Sequence, residues 1–409
     1  MEIQPIFAAM RRNKFGAILI CVQMAVTVAV LCNAIFVIQQ RLAWTQRVTG
    51  IDDESSVFAM RNKWIGNPAE ASARTRRDLD ALRSIPGVED AYVTNSFPLS
   101  GGGSSGTISL KEFSPPAAYT SFYFVDEHAL RTLGLRLVAG RNFTASEVID
   151  PFFTVKDMPQ TSVGVIVSAA LAHALFPNES ALGQRIFVGL PKPVTIIGVV
   201  EHLEGPFLRA TGWGSAFTEN TVLSPVKWGV PEALYVIRAR QGQVEAVMRD
   251  VQRVLIKLDR SRILVHVQSI GDSRKEAFRD DRAFVLVLVT VCVVLVAVTA
   301  LGIVGLTSYW VSQRRRQIGI RRALGGTRLA ILRYFQTENL VIAMVAAVLG
   351  CALTVAFNLW AVNKFEMARL PYYYLAIGAG IILLLGQLSA IWPALRASLV
   401  PPALAARGT

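Results

Sequence analysis

Ionisable side chains are scarce in this 409-residue chain, and they are absent where an ion pump would need them. Four stretches contain no Asp, Glu, Lys, Arg or His: Phe15–Ile38, Ala283–Val311, Leu340–Trp360 and Leu375–Leu395. Proton and ion carriers keep such groups at membrane depth, so their absence argues against an ion-driven pump or a polar channel. Cysteine is equally sparse. Cys21, Cys32, Cys292 and Cys351 all fall inside those apolar stretches, and residues 39–282 have none. That long segment is therefore not a disulfide scaffold and must rely on its own core.

Several kinds of chemistry lack their motifs. His128, His173, His202 and His266 stand apart, with no H-x-x-x-H pair and no Cys neighbour, so they read as ordinary histidines and no metal is expected. The phosphate-cradling pattern G-x-x-x-x-G-K-[ST] does not occur, so the chain is not expected to hydrolyse ATP by itself or to be an enzyme. "GGGSSG" (Gly101–Gly106) spells G-x-S-x-G through Gly102, Ser104 and Gly106. A nucleophile elbow needs a strand before and a helix after. Here Pro98 precedes closely and "TISLKEF" (Thr107–Phe113) alternates like a strand, so the match reads as a flexible turn. The clustered carboxylates Asp52, Asp53, Glu54 and Asp280, Asp281 read as solvated linker ends.

Hydrophobic residues make up 52% of the chain and charged ones 17%, which leans away from a purely soluble protein. A helix needs roughly 20 apolar residues to cross a bilayer core about 30 Å thick, and all four stretches qualify. The second is the longest and should tilt or project as a stalk. The first is longer than a signal-peptide core and is not followed by a small-x-small cleavage site, so it is expected to stay as an anchor. Within the spans, Gln23 and Asn33 are expected to make helix–helix contacts.

The net charge is +13, of which the short pieces 1–14, 312–337 and 396–409 carry +11. Positive charge in short loops marks the cytoplasmic side. The expected topology has both termini inside, residues 39–282 outside, the 312–339 segment inside and a short 361–374 loop outside. The charge flanks membrane spans and forms no basic stripe on a soluble face, so no nucleic-acid partner is expected.

Residues 39–282 are too many for a loop and should fold. "SSVFAMRNKW" (Ser55–Trp64), "AEASARTRRDLDALRSI" (Ala69–Ile85) and "GVEDAYVTNSF" (Gly87–Phe97) read as strand, helix and strand. The pattern recurs in "ALYVIRAR" (Ala233–Arg240), "QVEAVMRDVQRVLIKLD" (Gln243–Asp259) and "RILVHVQSI" (Arg262–Ile270). In the second helix Val244, Val247, Val251, Val254 and Leu258 fall on one face. Two such units predict a split α/β lobe of the ferredoxin-like kind from 39–100 and 231–282. Residues 101–230 predict a mostly β insertion, with "VTIIGVV" (Val194–Val200) as a buried strand. The fold class is thus an α-helical four-span bundle carrying a large α/β extracytoplasmic domain.

The remaining segment is "SQRRRQIGIRRALGGTRLAILRYFQTENL" (Ser312–Leu340), with seven arginines and no acidic residue before Glu338. Residues 313–324 favour helix, Gly325-Gly326 breaks it, and Thr327 is a plausible N-cap for a helix running into the third span. Arginines near the membrane face are drawn to anionic lipid headgroups at about 1 kcal/mol each. Ile318, Ile320, Ala323 and Leu324 need an apolar surface as well, and bilayer and partner protein fit equally.

This segment resembles the signature of the FtsX/MacB-type ABC permeases, R-R-x-E-I-G-I-R-x-A-L-G-A followed by an Ile and a later Glu. Arg315, Arg316, Ile318, Gly319, Ile320, Arg321, Ala323, Leu324, Gly325, Ile331 and Glu338 match it; Gln317 stands for the Glu and Gly326 for the Ala. "YFVDEHALRTLGLRLVAGRNFTASE" (Tyr123–Glu147), "VIVSAALAHALFPNESALGQRIFVG" (Val165–Gly189) and "PALRASLVPPALAARG" (Pro393–Gly408) are similar to further segments of that family.

The resemblance implies a bacterial inner-membrane permease that dimerises with itself or a related permease and works with two copies of a cytosolic ABC ATPase. The segment after the second span would be the coupling helix, with Arg315, Arg316, Ile318, Gly319, Ile320, Arg321, Arg322, Ala323, Leu324 and Gly325 at the ATPase contact. ATP and Mg would sit on that partner, which in MacB itself is fused to the permease and here is expected as a separate subunit. The expected action is mechanotransmission to a periplasmic domain and export of a drug, peptide or lipid-linked molecule. A periplasmic adaptor, an outer-membrane channel and membrane lipid are further candidate partners. The alternatives are an FtsX-type device that activates a cell-wall hydrolase and a lipoprotein-releasing permease.

Overall fold

The computed structural model describes residues 14–65, 70–149, 163–189, 192–208, 216–228, 232–323, 327–365 and 369–398. The chain divides into two compact units, residues 47–279 and a helical unit built from the segments on either side.

In chain order, helix α1 (Lys14–Thr45) opens the helical unit. In residues 47–279 come β1 (Val57–Trp64), α2 (Ala71–Arg83), β2 (Val88–Thr94), β3 (Ser104–Ile108), β4 (Ala118–Phe124), α3 (Ala129–Leu133) and β5 (Leu137–Gly140). These are followed by β6 (Gly164–Ser168), α4 (Ala169–Leu175), β7 (Arg185–Ile186), β8 (Val194–Val200) and β9 (Thr221–Ser224). The unit closes with β10 (Glu232–Ala239), α5 (Val244–Leu258), β11 (Arg262–Ser269) and α6 (Ile270–Ala277). The helical unit resumes with α7 (Arg279–Gln313), α8 (Arg315–Ala323), α9 (Arg328–Phe365) and α10 (Tyr373–Ser398).

The first sheet is antiparallel in the order β11-β1-β10-β2. Two strand–helix–strand units interleaved in that order make the ferredoxin-like α/β lobe. Helices α2 and α5 cover one face, where Phe58, Met60, Leu79, Leu82, Tyr235 and Val251 are buried together. In α5 the buried stripe is Val247, Val251 and Leu255. The expected Val244 and Val254 pack against the same cluster partly buried, and Leu255 joins the fully buried positions because residues four apart stack on one side of a helix. Under α2 lies a buried ion pair: both side chains of Asp78 and Arg262 are fully inaccessible. Arg262 donates twice, at 2.7 and 3.0 Å, Tyr235 Oη donates to the same carboxylate at 2.9 Å, and the guanidinium stacks over Trp64 at 4.4 Å. The edge strand β11 is irregular. Its pairing with β1 shifts register between Ala59 and Arg61, and His266 has φ +53°.

The second sheet runs β3-β4-β9-β6-β8-β5, with β7 beside β8, and mixes parallel and antiparallel pairs. The sequence-predicted strand Val194–Val200 is β8. The glycine-rich stretch is a turn only at its start. Ser104 already pairs with Phe122 as strand, and a Cβ on Gly106 would come within 2.9 Å of the Phe122 ring. Ser104 therefore lies within a β ladder, not on an elbow, and the flexible-turn reading is corrected for residues 104–106. The two sheets share a core: Val57, Ala59, Tyr92 and Val236 from the first pack with Tyr123, Leu130, Ile166 and Leu223 around the second.

A charged cluster sits at this junction. Arg83 from α2 reaches Asp126 at 3.4 Å and donates to the carbonyl of Ala91, while His128 Nδ1 lies 2.9 Å from buried Asp90. Burial pushes the Asp126 carboxyl up to about 6 despite Arg83.

Among the described residues, four helices are long and apolar enough to cross a membrane: most of α1, and α7, α9 and α10. At about 1.5 Å per residue, the 35 residues of α7 extend about 52 Å, well beyond a bilayer core. Much of its surface is exposed within this chain, and it is held to α1 at discrete points. Gln23 Nε2 donates to the Val298 carbonyl at 3.2 Å, and the Thr27 and Thr299 hydroxyls are 2.8 Å apart. Arg41 pairs with Asp281 and lies over the rings of Trp44 and Phe284. Asp281 is thus buried and engaged, not a solvated linker end. Gln23 makes the expected helix–helix contact, whereas Asn33 donates back to Ala29 of its own helix at 2.9 Å. Between the Thr27–Thr299 and Arg41–Asp281 contacts, Val26, Val30, Phe284, Leu288 and Phe357 line an apolar cavity of about 430 Å³.

Two outcomes follow. Arg262→Ala leaves Asp78 buried without its partner and is expected to cost about 3–5 kcal/mol, read as a drop in thermal unfolding temperature. The raised Asp126 pKa means the folded chain holds a proton that the unfolded chain releases between about pH 4 and 6. The contribution of Asp126 to stability falls as pH rises through that window. Asp126→Asn is expected to gain about 1–3 kcal/mol relative to wild type between pH 4 and pH 7, measured by denaturant unfolding at the two pH values.

Candidate functional site

The site is the turn from α7 into α8 and back into α9. α7 ends at Gln313, and the backbone continues almost without interruption: Arg314 N donates to Trp310 O at 3.1 Å and Ile318 N to Arg314 O at 2.9 Å. A short basic helix is therefore a near-extension of the 35-residue α7. α9 starts where the sequence placed it. Thr327 is its N-cap, with the Ala330 amide donating to Thr327 Oγ1 at 3.2 Å.

Arg314 holds the corner. Its guanidinium makes a two-pronged bond to Glu338, Nη1 to Oε2 at 2.8 Å and Nη2 to Oε1 at 3.2 Å. Their side chains are only 14% and 3% accessible. Parallel donors against both carboxylate oxygens fix angle as well as distance. In the sequence Glu338 matches the family pattern but has no evident partner. The signal available was that Glu338 is the first acidic residue after Asp281 and follows a run of arginines.

An apolar knot lies beside the ion pair. Val311, Ile318, Ile331, Phe335 and Ala394 are buried together, joining α7, α8, α9 and α10. The expected contact residues divide accordingly. Ile318 and Gly319 face inward, with Ile318 6% accessible, whereas Arg315, Arg316 and Gln317 are exposed and Ile320 is 51% accessible. Arg321, Arg322 and Ala323 complete α8 in backbone, but their side chains lie outside the described residues, as do Leu324, Gly325 and Gly326 altogether.

Chemistry is not the theme of this site. Among the described residues no group of three or more His, Cys, Asp and Glu is placed to hold a metal ion. What the geometry offers is a basic, one-sidedly exposed helix fastened rigidly to a long apolar one.

The MacB-like periplasmic core domain profile matches residues 23–258, more than half of the chain, and the FtsX-like permease C-terminal profile matches residues 289–402. The chain belongs to the MacB-like, FtsX-type permeases of ABC transporters. This permease is 26% identical over 281 residues to the macrolide export ATP-binding/permease protein MacB of Chromobacterium violaceum, covering 66% of the chain and 41% of that protein. It is 23% identical over 349 residues to MacB 2 of Aeromonas hydrophila subsp. hydrophila, covering 82% of the chain and 50% of the relative. The chain spans half or less of the length of these relatives. The crystal structure of the periplasmic region of MacB from Actinobacillus actinomycetemcomitans aligns with 58% of this permease and 98% of that chain, at 17% identity and a TM-score of 0.34. By the two profile matches and its four long apolar helices, the permease has membrane helices and a periplasmic core domain.

Glu338→Ala leaves the largely enclosed Arg314 without its carboxylate partner, and an expected loss of about 3 kcal/mol follows. The exchange Arg314→Glu with Glu338→Arg is expected to recover part of it. Thermal unfolding of the detergent-solubilised protein checks both.

Proposed function

We propose that this permease couples ATP hydrolysis by a cytosolic ABC ATPase to movement of its periplasmic domain, and so drives export. α8 is the coupling helix. Its outward residues Arg315, Arg316 and Ile320 dock on the ATPase, with Arg321, Arg322, Ala323, Leu324 and Gly325 continuing the contact. Ile318 and Gly319 anchor the helix to the permease. ATP and Mg bind on the ATPase.

The observation that carries this reading is the rigid corner. A helix pinned by Arg314–Glu338 and by the Ile318 knot cannot swivel freely on α7. A push on α8 therefore becomes a push along or across the 35-residue α7. Supporting it are the family, the excess positive charge in the 312–337 segment, which favours the cytoplasmic side, and apolar spans without charged groups, which offer no polar path for cargo. In this reading both termini are cytoplasmic, residues 39–282 are periplasmic, and the working unit contains two permeases and two ATPases. The relatives are named for macrolide export, so the proposed cargo is a drug, peptide or lipid-linked molecule.

The triple change Arg315→Glu, Arg316→Glu and Ile320→Asp is expected to cut co-purification of the cognate ABC ATPase by roughly tenfold or more, the loss of a small energetic hot spot. It should leave the unfolding temperature of the permease unchanged. Undiminished capture of the ATPase by this variant overturns the placement of the docking face.

A further inference from the structure

The residues joining the periplasmic domain to its helices form a network that the proposed function does not use. Residues 47–54 follow α1, and α6 (Ile270–Ala277) precedes α7. Arg274 of α6 bridges these two roots. Its Nε and Nη2 donate to Glu54 at 2.8 and 2.5 Å, and its Nη1 donates to the Arg47 carbonyl at 2.7 Å. Thr49 Oγ1 donates to the same Glu54 carboxylate at 2.6 Å. Glu54 is thus a bonded member of a network, not a solvated linker end as the sequence suggested.

The bridged roots are then fastened to the β-rich lobe. Arg47 Nη1 lies 2.5 Å from Glu204, whose side chain is 1% accessible, and Nη2 donates to the Leu208 carbonyl at 3.0 Å. The Glu204 amide donates to Thr49 O at 2.9 Å, and His202 Nε2 is 2.8 Å from Val48 O. The chain passes so close here that a Cβ on Gly50, at φ +87°, would lie 2.2 Å from the His202 carbonyl oxygen. Tyr123 Oη holds the Glu204 carbonyl from the second sheet at 2.7 Å.

We infer that Arg274, Glu54, Arg47 and Glu204 form a joint that makes the two roots move as one piece and delivers that movement to the β-rich lobe. The physical reason is connectivity. Each root already runs covalently into the ferredoxin-like lobe, through β1 and from β11. Nothing covalent ties either root directly to residues 202–208. Ile51 and Ile270 of the roots enter the shared core and Asp52 N donates to Leu133 O at 3.3 Å, and Arg47–Glu204 with the backbone bonds beside it adds the charged link that fixes the angle. A two-pronged Arg–carboxylate pair resists rotation as well as separation, and its half-buried setting protects it from screening by salt. Arg274 and Arg47 are positioning residues in this account. It rests on the proposed ATPase coupling for its purpose, but the joint itself is testable without nucleotide.

The experiment uses the full-length permease in lipid nanodiscs, as wild type, Arg274→Glu, Glu54→Arg and the double exchange. Without nucleotide, each single variant is expected to exchange amide hydrogens in 47–54 and 202–208 roughly tenfold faster, since one partly buried charged contact is lost. The double exchange is expected to restore protection. Unchanged protection in the single variants, or no recovery in the double, overturns the joint.

With the cognate ATPase and ATP added, wild type is expected to show a nucleotide-dependent change of exchange in the β-rich lobe. Arg274→Glu is expected to keep ATP hydrolysis and lose that change, a separation that mere destabilisation does not produce. A full nucleotide response in Arg274→Glu overturns the transmitting role. No response in wild type overturns the coupling reading and the transmitting role together, while the restored protection in the double exchange still establishes the joint.

Discussion

A long apolar helix in a bilayer gains little from touching its neighbours, because lipid tails are as apolar as they are. α7 is the extreme case in this permease, with most of its outer half exposed within the chain. Its position depends on charge placed at its two ends. Arg41–Asp281 grips it at one end and Arg314–Glu338 at the other, with the Gln23, Thr27 and Thr299 contacts between them. Ion pairs at the rim of the membrane suit this task, since the apolar stretch between them can carry no charge of its own without a large cost. Between those ends, Ile303 and Trp310 in the second half of the helix are buried with residues of α1, α9 and α10.

The periplasmic domain is organised on a related logic of few but strong links. Its four-stranded sheet is covered by helices on one face and by the β-rich lobe on the other, so one sheet belongs to two cores. Buried polar groups appear where elements must keep a fixed angle: Asp78–Arg262 under α2, Asp90 and Asp126 at the lobe junction, Glu204 at the root. Each brings a desolvation cost that only a complete set of partners offsets, which makes such places sensitive to a single substitution.

Periodicity made much of this legible in the sequence. The four apolar stretches are the cores of four long helices, because membrane spans are set by composition over many residues and not by partners. The split strand–helix–strand halves could be read because α2 and α5 show helical spacing between alternating strands. Thr327 announced a helix start through a local rule. What stayed hidden were pairings across sequence. Asp281 and Glu54 looked like solvated carboxylates because their partners, Arg41 and Arg274, lie 240 and 220 residues away. Asn33 reads as a helix–helix contact, yet its amide donates one turn back within its own helix. The arginine run marks the segment between α7 and α9, but only the fold separates Ile318, turned in, from Ile320, turned out.

The irregular β11 has a consequence of a different kind. A strand at the margin of a sheet presents open donors and acceptors, and a flat one invites pairing with the same strand of another molecule. The slipped register beside Ala59 and the left-handed backbone at His266 interrupt the regular ladder at this margin. A non-glycine residue held in that conformation costs about 1–3 kcal/mol. An interrupted ladder is a poorer template for a second chain than a flat, regular one.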